Sequence, residues 1–377
     1  MKPLLVIVST TRYAVDRFML SALDELQSSY DIISINGESS ADFILSSNKK
    51  ISSINIPLRR KINIFWDFVS LIKLIWILID LRPALVQTLT PKAGLIGIIG
   101  AWLAFVPRRV HYFTGQVWAT HSGLKRILFK LIDRMIVMAS TATLADSKSQ
   151  LKFLIQNNVV NSDECSVLGM GSLGGVDINK FKSNKDFYLE KRMEMRLPSN
   201  AFIILYMARL TIDKGALGLV RTFKKYRDLG GNGILLCVGP DEENLLEQMN
   251  AELGYVSKFV NFIGYTDSPE YYFKISDVFF MPSLREGFGS VYLLAGACSL
   301  PSIGSAIYGT VDAIINNETG FYFEYNSYDD FANCLINLER NIDLRKAIGL
   351  AARKRVESHF SIASYNKDYK NFIDSLF

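Results

Sequence analysis

Cysteine, histidine and long uninterrupted apolar runs are scarce in this chain of 377 residues. Its four cysteines, Cys165, Cys237, Cys298 and Cys334, are scattered with no CxxC pair, and its three histidines, His111, His121 and His359, lie far apart. These absences exclude a disulfide-framed scaffold and a metal centre built on thiols or imidazoles, and the thiols read as reduced small residues of a cytoplasmic protein. No GxxxxGK[ST] phosphate loop occurs and no GxGxxG follows the first strand, which counts against a nucleotide triphosphatase and a nicotinamide dehydrogenase. The opening apolar run is too short and wrongly flanked for a signal peptide and reads as a buried first strand. The longest apolar stretch, Ile62 to Ile79, is broken by Asp67 and Lys73. A membrane span tolerates few charges, so this stretch reads as a core helix.

What is present is apolar material for two cores: 49% of residues are hydrophobic and 21% charged. Short apolar runs alternate with longer helical patterns. Strands are expected at 4–8, 31–35, 85–87, 109–113 and 143–146, then again at 201–207, 233–238, 260–263, 278–281 and 301–305. Helices are expected between them at 16–27, 64–79, 92–103 and 123–139, then at 215–228, 242–253, 268–275, 289–297 and 328–338. Strand–helix alternation builds parallel sheets with right-handed crossovers, so two such series predict an α/β protein of two Rossmann-like, doubly wound domains facing across a cleft. The expected bounds are 1–180 and 181–355, with 356–377 as a C-terminal helix returning to the N-terminal domain. Residues 177–193, rich in charge, Asn and Ser, read as the link.

Charge is uneven. Residues 1–180 hold 20 Lys/Arg against 13 Asp/Glu, and 181–377 hold 22 against 24. Arg126, Lys130 and Arg134 recur every four residues on the helical stretch 124–136. Such a helix either lies on an anionic membrane surface or is an ordinary solvated surface helix. The patch lacks interleaved aromatics and a binding module, so nucleic acid is not an expected partner.

Doubly wound domains bind ligands at the carboxyl ends of their strands. After the strand at 201–207 comes ARLTIDKG, which sets Arg209 and Lys214 beside a helix N-terminus. Two cations there suit a diphosphate; the alternative is two solvated charges. After the strand ending at Met281 comes PSLREGFGS. Its glycines let backbone approach a ligand, and Glu286 offers a carboxylate to sugar hydroxyls; alternatively Glu286 caps the helix. The cluster Gly169–Gly175 satisfies GxGxxG without an ensuing helix, and a flexible linker explains it equally well. Gly239-Pro240-Asp241-Glu242 reads by itself as an ordinary turn and helix start.

The run PSLREGFGSVYLLAGACSLPSIGS, with ARLTIDKG, VGPDEENL and FIGYTDSPEYYFKISDVFFMPS before it, resembles glycosyltransferase family 4. In the first half, LVQTLTPKAGLIG, LKRILFKLIDRM, LADSKSQLKFL and GSLGGVDINKF are similar to the subgroup that builds capsule and O-antigen sugars on a lipid carrier. The resemblance covers nearly the whole chain and implies the GT-B fold, a nucleotide-sugar donor and retention of anomeric configuration. It implies that Arg209 and Lys214 bind the diphosphate and that Glu286 contacts the donor sugar, these three forming the catalytic set. Gly287, Phe288 and Gly289 match the loop beside donor phosphates and sugar, and Gly264, Tyr265 and Thr266 the loop that receives the base. Ser9, Thr10 and Thr11 lie on the first-strand loop, without the family's common glycine pair. Thr114, Gly115 and Gln116 belong to the cleft block HYFTGQ, in which Thr114 stands where a family histidine is common and His111 reads as structural. Trp118 and Tyr112 read as core or as sugar platforms.

The family's second glutamate falls at position 294, where this chain has Leu294. Leucine cannot accept a hydrogen bond, and losing an acceptor for ribose hydroxyls costs about 1–3 kcal/mol of nucleotide binding.

The resemblance therefore implies transfer of a hexose or N-acetylhexosamine, with UDP-N-acetylgalactosamine or UDP-N-acetylglucosamine leading, to an undecaprenyl-diphosphate-linked sugar. Neither a cofactor nor a metal is expected. The expected location is peripheral, on the inner face of a bacterial plasma membrane, with Arg126, Lys130 and Arg134 against anionic lipid. A nucleotide-sugar epimerase of the same fold and a weakened or non-catalytic transferase-like protein are the competing readings, the second because of Leu294.

Overall fold

The computed structural model describes residues 2–182 and 185–377. They form two compact units, Met1–Gly175 with Ile362–Phe377, and Val176–Ser361.

The first unit is built on strands β1 (Leu4–Ser9), β2 (Asp31–Asn36), β3 (Phe43–Ile44), β4 (Lys50–Asn55), β5 (Leu85–Leu89), β6 (Arg108–Phe113), β7 (Ala142–Ala145) and β8 (Cys165–Val167). Their order is β3-β4-β2-β1-β5-β6-β7-β8, and every pair is parallel except β3 with β4. Helices α1 (Arg12–Phe18), α2 (Leu20–Leu26), α3 (Ile64–Leu81), α4 (Pro91–Leu103), α5 (Gly123–Ala139) and α6 (Lys148–Gln156) connect them. The two-residue period of a strand sorts β1 between two cores. Leu5 and Ile7 pack on the side of α2, and Val6 and Val8 on the side of α3 and α4.

The second unit opens with α7 (Lys185–Glu194). Its sheet holds β9 (Ile203–Met207), β10 (Ile234–Val238), β11 (Val260–Ile263), β12 (Val278–Met281), β13 (Ser302–Ser305) and β14 (Gly320–Phe323). The order is β11-β10-β9-β12-β13-β14, all parallel. Between and after them run α8 (Ala216–Asp228), α9 (Leu246–Leu253), α10 (Pro269–Ile275), α11 (Ser290–Ala297), α12 (Thr310–Ala313), α13 (Tyr328–Arg340) and α14 (Ile342–His359). Two sheets, parallel but for the β3–β4 pair and joined by helical crossovers, are the architecture expected from the alternation, while β3, β4, β8, β14, α6 and α12 add to the expected series.

The last helix, α15 (Ile362–Ser375), packs in the first unit: Tyr369 donates to Gln87 Oε1 at 2.7 Å, both groups buried, and Tyr30 donates to Asp374 at 2.7 Å.

Three local expectations are corrected. The stretch at 16–27 is two helices meeting at Met19, not one. The charged segment 177–193, of which residues 183 and 184 lie outside those described, is no simple link, because α7 occupies most of it. Arg192 on α7 is buried, donating to Asp277 at 2.6 Å and to the carbonyls of Ile275 and Ala201. A charge inside the segment read as the link is therefore an internal strut, stable because each donor it buries finds an acceptor. Finally, the stretch 62–79 is not a core helix. α3 buries Ser70, Leu74 and Leu78 but leaves Ile64, Phe65, Phe68 and Trp76 exposed. Among the described residues no helix is long and apolar enough to cross a membrane.

Candidate active site

In a parallel sheet all carboxyl ends lie at one edge, and a crevice opens where neighbouring strands send their connections in opposite directions. In the second unit that point falls between β9, whose connection runs to β10, and β12, whose connection runs to β13. The loops 208–215 and 282–289 leave these two strands side by side.

There Lys214 Nζ meets Glu286 Oε1 at 2.7 Å. Glu286 is buried, 8% exposed, and Lys214 is partly covered. Two further contacts stitch the same loops: Arg285 donates to Asp213 at 2.8 Å, and the Leu284 N–H donates to the Asp213 carbonyl. Gly215 caps α8 with φ +75°, and a Cβ there would stand 1.9 Å from the Pro282 carbonyl oxygen, so glycine alone lets the two loops touch. Beneath them the buried Tyr206 hydroxyl lies 3.0 Å from the Arg209 carbonyl and 3.2 Å from that of Lys214, fixing the backbone that carries both cations.

Arg209 pairs with Glu242 at 2.5 Å, and Glu243 accepts from the Ile212 N–H at 2.9 Å. The segment 239–243 thus orders the loop after β9 and does not itself start a helix. Asp241 accepts from the N–H groups of Leu245 and Leu246, so α9 begins there and not at Glu242.

In the first unit the corresponding point lies between β1 and β5, and the pair that meets is neutral. Thr10 Oγ1 and Thr90 Oγ1 are 3.2 Å apart. Thr90 caps α4 at φ +75°, a left-handed conformation that a β-branched residue adopts only under constraint. Thr11 caps α1, and its carbonyl accepts from Ser9 Oγ. His111 is wholly buried, 2.7 Å from Thr88 Oγ1, and burial pushes its pKa down to about 3, so it serves as a neutral structural imidazole.

Gln116, after β6, accepts from Gln150 at 3.2 Å, and Gln150 accepts from the Asp146 N–H. Asp146 also holds Leu173 N–H at 2.6 Å and Ser172 N–H at 2.7 Å. The cluster 169–175 is therefore tied to the first unit, against its reading as a flexible linker. A Cβ on Gly174 would meet the Phe18 carbonyl oxygen at 2.8 Å.

Residues 188–355 match the glycosyl transferases group 1 family. A capsular polysaccharide biosynthesis glycosyltransferase of Staphylococcus aureus is 33% identical over 307 residues, 81% of this chain and 80% of that protein. The chain belongs to the group 1 glycosyltransferases. A UDP-Gal:α-D-GlcNAc-diphosphoundecaprenol α-1,3-galactosyltransferase of Escherichia coli is 28% identical over 288 residues, 74% of this chain and 73% of the relative. In fold, sucrose-phosphate synthase of Thermosynechococcus elongatus superposes with a TM-score of 0.83 at 19% identity, covering 100% of this chain and 99% of that one. Anabaena HepE in complex with UDP-glucose superposes with a TM-score of 0.80 at 15% identity, covering 99% and 100%. The GT-B architecture expected from the resemblance is thereby established.

The remaining residues implied for this glycosyltransferase fall as follows. Gly287 and Gly289 lie on the loop that opens α11, while the Phe288 side chain is buried against Phe360, leaving only its main chain toward the loop. Gly264, Tyr265 and Thr266 follow β11 at the same edge of the sheet; Gly264 and Tyr265 are exposed, and Thr266 Oγ1 accepts from Ser268 N–H. Leu294, on α11, is partly buried and packs on the core of the second unit. Thr114 and Gly115 lie with Gln116 at the end of β6.

Tyr112 and Trp118 are fully buried, which settles them as core. The Trp118 indole donates to Asp133 at 2.7 Å and stacks on Phe153, and burial raises Asp133 to about 7. On α5, Arg126 and Lys130 lie 5.1 and 6.0 Å over the Trp118 ring, and Arg126 also donates to Asn157. Of the three basic residues named on α5, Arg134 alone is exposed, and the outward face carries Leu124, Leu128, Leu131 and Met135. Sequence reasoning passed over Asp213, Arg285, Glu242 and Thr90; the first three were legible only as loop charges, and Thr90 only as part of TLTPKAG.

Proposed function

We propose that this glycosyltransferase moves a hexose or N-acetylhexosamine from a UDP-sugar, with UDP-N-acetylgalactosamine or UDP-N-acetylglucosamine as leading donors, to an undecaprenyl-diphosphate-linked sugar in O-antigen or capsule assembly. The observation that carries the reading is the Lys214–Glu286 contact at the switch point of the second unit, with Arg209 on the same loop. The activities of the Staphylococcus aureus and Escherichia coli relatives support the pathway and the kind of acceptor.

In this reading the ion pair opens onto the donor. Lys214 and Arg209 turn to the diphosphate, and Glu286 accepts from sugar hydroxyls. The bond from the anomeric carbon to the diphosphate oxygen breaks, and the bond to the acceptor oxygen forms on the same face. The acceptor's proton passes to the departing phosphate oxygen. Charge developing on the diphosphate is met by the two cations and by the main-chain N–H groups at the start of α11, with no metal required. Thr10, Thr11, Thr114, Gly115 and Gln116 face the acceptor. The enzyme works peripherally at the inner face of the bacterial plasma membrane, where Arg134 and neighbouring basic residues favour anionic lipid.

Calorimetry with UDP and GDP on this chain and on Leu294→Glu, followed by UDP-sugar turnover with a lipid-linked acceptor, tests the reading. UDP binding and acceptor-dependent turnover by this chain support it. Binding about 5- to 150-fold tighter in Leu294→Glu is expected if that position faces ribose. Donor conversion without an acceptor would favour the epimerase. Binding that appears only in Leu294→Glu would favour the weakened transferase.

A further inference from the structure

More than half of the large hydrophobic side chains exposed among the described residues lie between Ile62 and Met138, in the layer formed by α3, α4 and α5. α3 concentrates them. Ile64, Phe65, Phe68, Ile72, Trp76 and Ile79 are all exposed, and at 100° per residue they fall within one third of the helix circumference. The opposite side, Ser70, Leu74 and Leu78, is the buried one. A helix with apolar side chains on both faces normally lies inside a core or inside a membrane. α3 does neither: one face packs on the sheet, and at 18 residues, about 27 Å, with Asp67, Lys73 and Asp80 along it, the helix cannot span a bilayer. Trp102 and Phe105, at the end of the adjoining α4, extend the same layer, and Phe105 is 91% exposed.

We infer that the outward face of α3, continued by Trp102 and Phe105, is an inserting surface that seats the first unit on an anionic phospholipid bilayer by burying apolar side chains below the headgroups. This goes beyond electrostatic adhesion through α5 and does not depend on the donor or acceptor assignment. Two observations choose a bilayer over a second copy of the chain. Arg59, Arg60 and Lys61 stand exposed just ahead of α3 and Lys73 flanks the stripe, whereas Asp67 is neutralised by Lys92 at 2.6 Å and the exposed Asp80 offsets one of the four cations. That excess complements anionic lipid and would repel its own image across a twofold interface. Exposed Trp and Phe beside Lys and Arg also make up the composition of interfacial helices, whose indoles settle at headgroup level.

Co-sedimentation with phosphatidylcholine–phosphatidylglycerol vesicles at about 7:3, without nucleotide or acceptor, tests this separately from the transferase reading. The protein should bind, and at about 0.5 M NaCl, where screening length falls to roughly 4 Å, at least half of the bound fraction should remain. The double variant Phe68→Ser/Trp76→Ser should partition at least tenfold less while melting as the parent does. As a second measurement on the unaltered protein, brominated lipid should quench a fluorescence component that Trp76→Phe removes. Unchanged partitioning of the double variant, complete release by salt, or no vesicle binding would each overturn the proposal. So would a dimer in vesicle-free solution that Phe68→Ser/Trp76→Ser dissociates.

Discussion

The two units share one construction and differ in chemistry at the same topological position. At the switch point of the second unit the meeting side chains are charged: Lys214 with Glu286, Arg285 with Asp213, and Arg209 with Glu242 nearby. At that of the first unit they are neutral: Thr10 with Thr90 between β1 and β5, and an imidazole kept uncharged by burial just behind. The sheet supplies a crevice in both cases, and the loop residues decide what it can hold. Fixed charges suit a ligand that is itself charged and whose charge grows during reaction. Hydroxyls and amides suit an acceptor hydroxyl that must be oriented without being ionised.

The most severe way to break this contrast is Lys214→Ala. It should lower turnover by about 10²–10³-fold, the scale of losing one group that meets developing charge, in steady-state assays with UDP-sugar and acceptor. A loss under tenfold would detach the charged crevice from catalysis. The first unit's neutrality is sharpened by Asp133→Asn. Because the Asp133 pKa is raised to about 7 by burial, the folded protein holds that proton where the unfolded chain, near 3.8, has released it. The aspartate's contribution is therefore present at low pH and lost as pH rises through 7. Asparagine should raise stability by about 4 kcal/mol at pH 8 and leave it nearly unchanged below the unfolded-state value, read from urea unfolding at several pH values. A gain that does not grow with pH would contradict the assignment.

A subtler change is Thr90→Gly, which relieves a left-handed β-branched residue. Melting should rise by the equivalent of about 1 kcal/mol while acceptor KM worsens, since the hydroxyl facing Thr10 is gone. A gain in stability with unchanged KM would make the strain merely structural. The smallest effect is expected at Tyr369→Phe, which removes one buried bond to Gln87 and should cost about 1 kcal/mol without altering UDP affinity. Altered UDP affinity would mean that the two units are less separable than their cores suggest.

The strand and helix series were legible because apolar runs of strand length and helical periodicity are local properties. Most of the charged crevice was legible for the same reason, since Arg209, Lys214 and Glu286 sit in loops that must emerge at strand carboxyl ends. Arg192 was not, because a buried, fully bonded arginine has the same letter as a solvated one. Nor was the fate of Arg126 and Lys130. Their four-residue spacing announces a shared face, but only the position of Trp118 shows that this face turns toward the protein.

By itself, then, the sequence determined the α/β class, the parallel sheets and the loops that carry the chemistry. These follow from periodicity, crossover handedness and glycine placement, all of which act within a few residues. Only the tertiary structure decided which loop residues meet: Lys214 and Glu286 are 72 positions apart, and Thr10 and Thr90 are 80 apart. It also decided which side of the mostly apolar α3 is left outside. Partner choice and exposure depend on strand order and layer packing, which no single segment encodes.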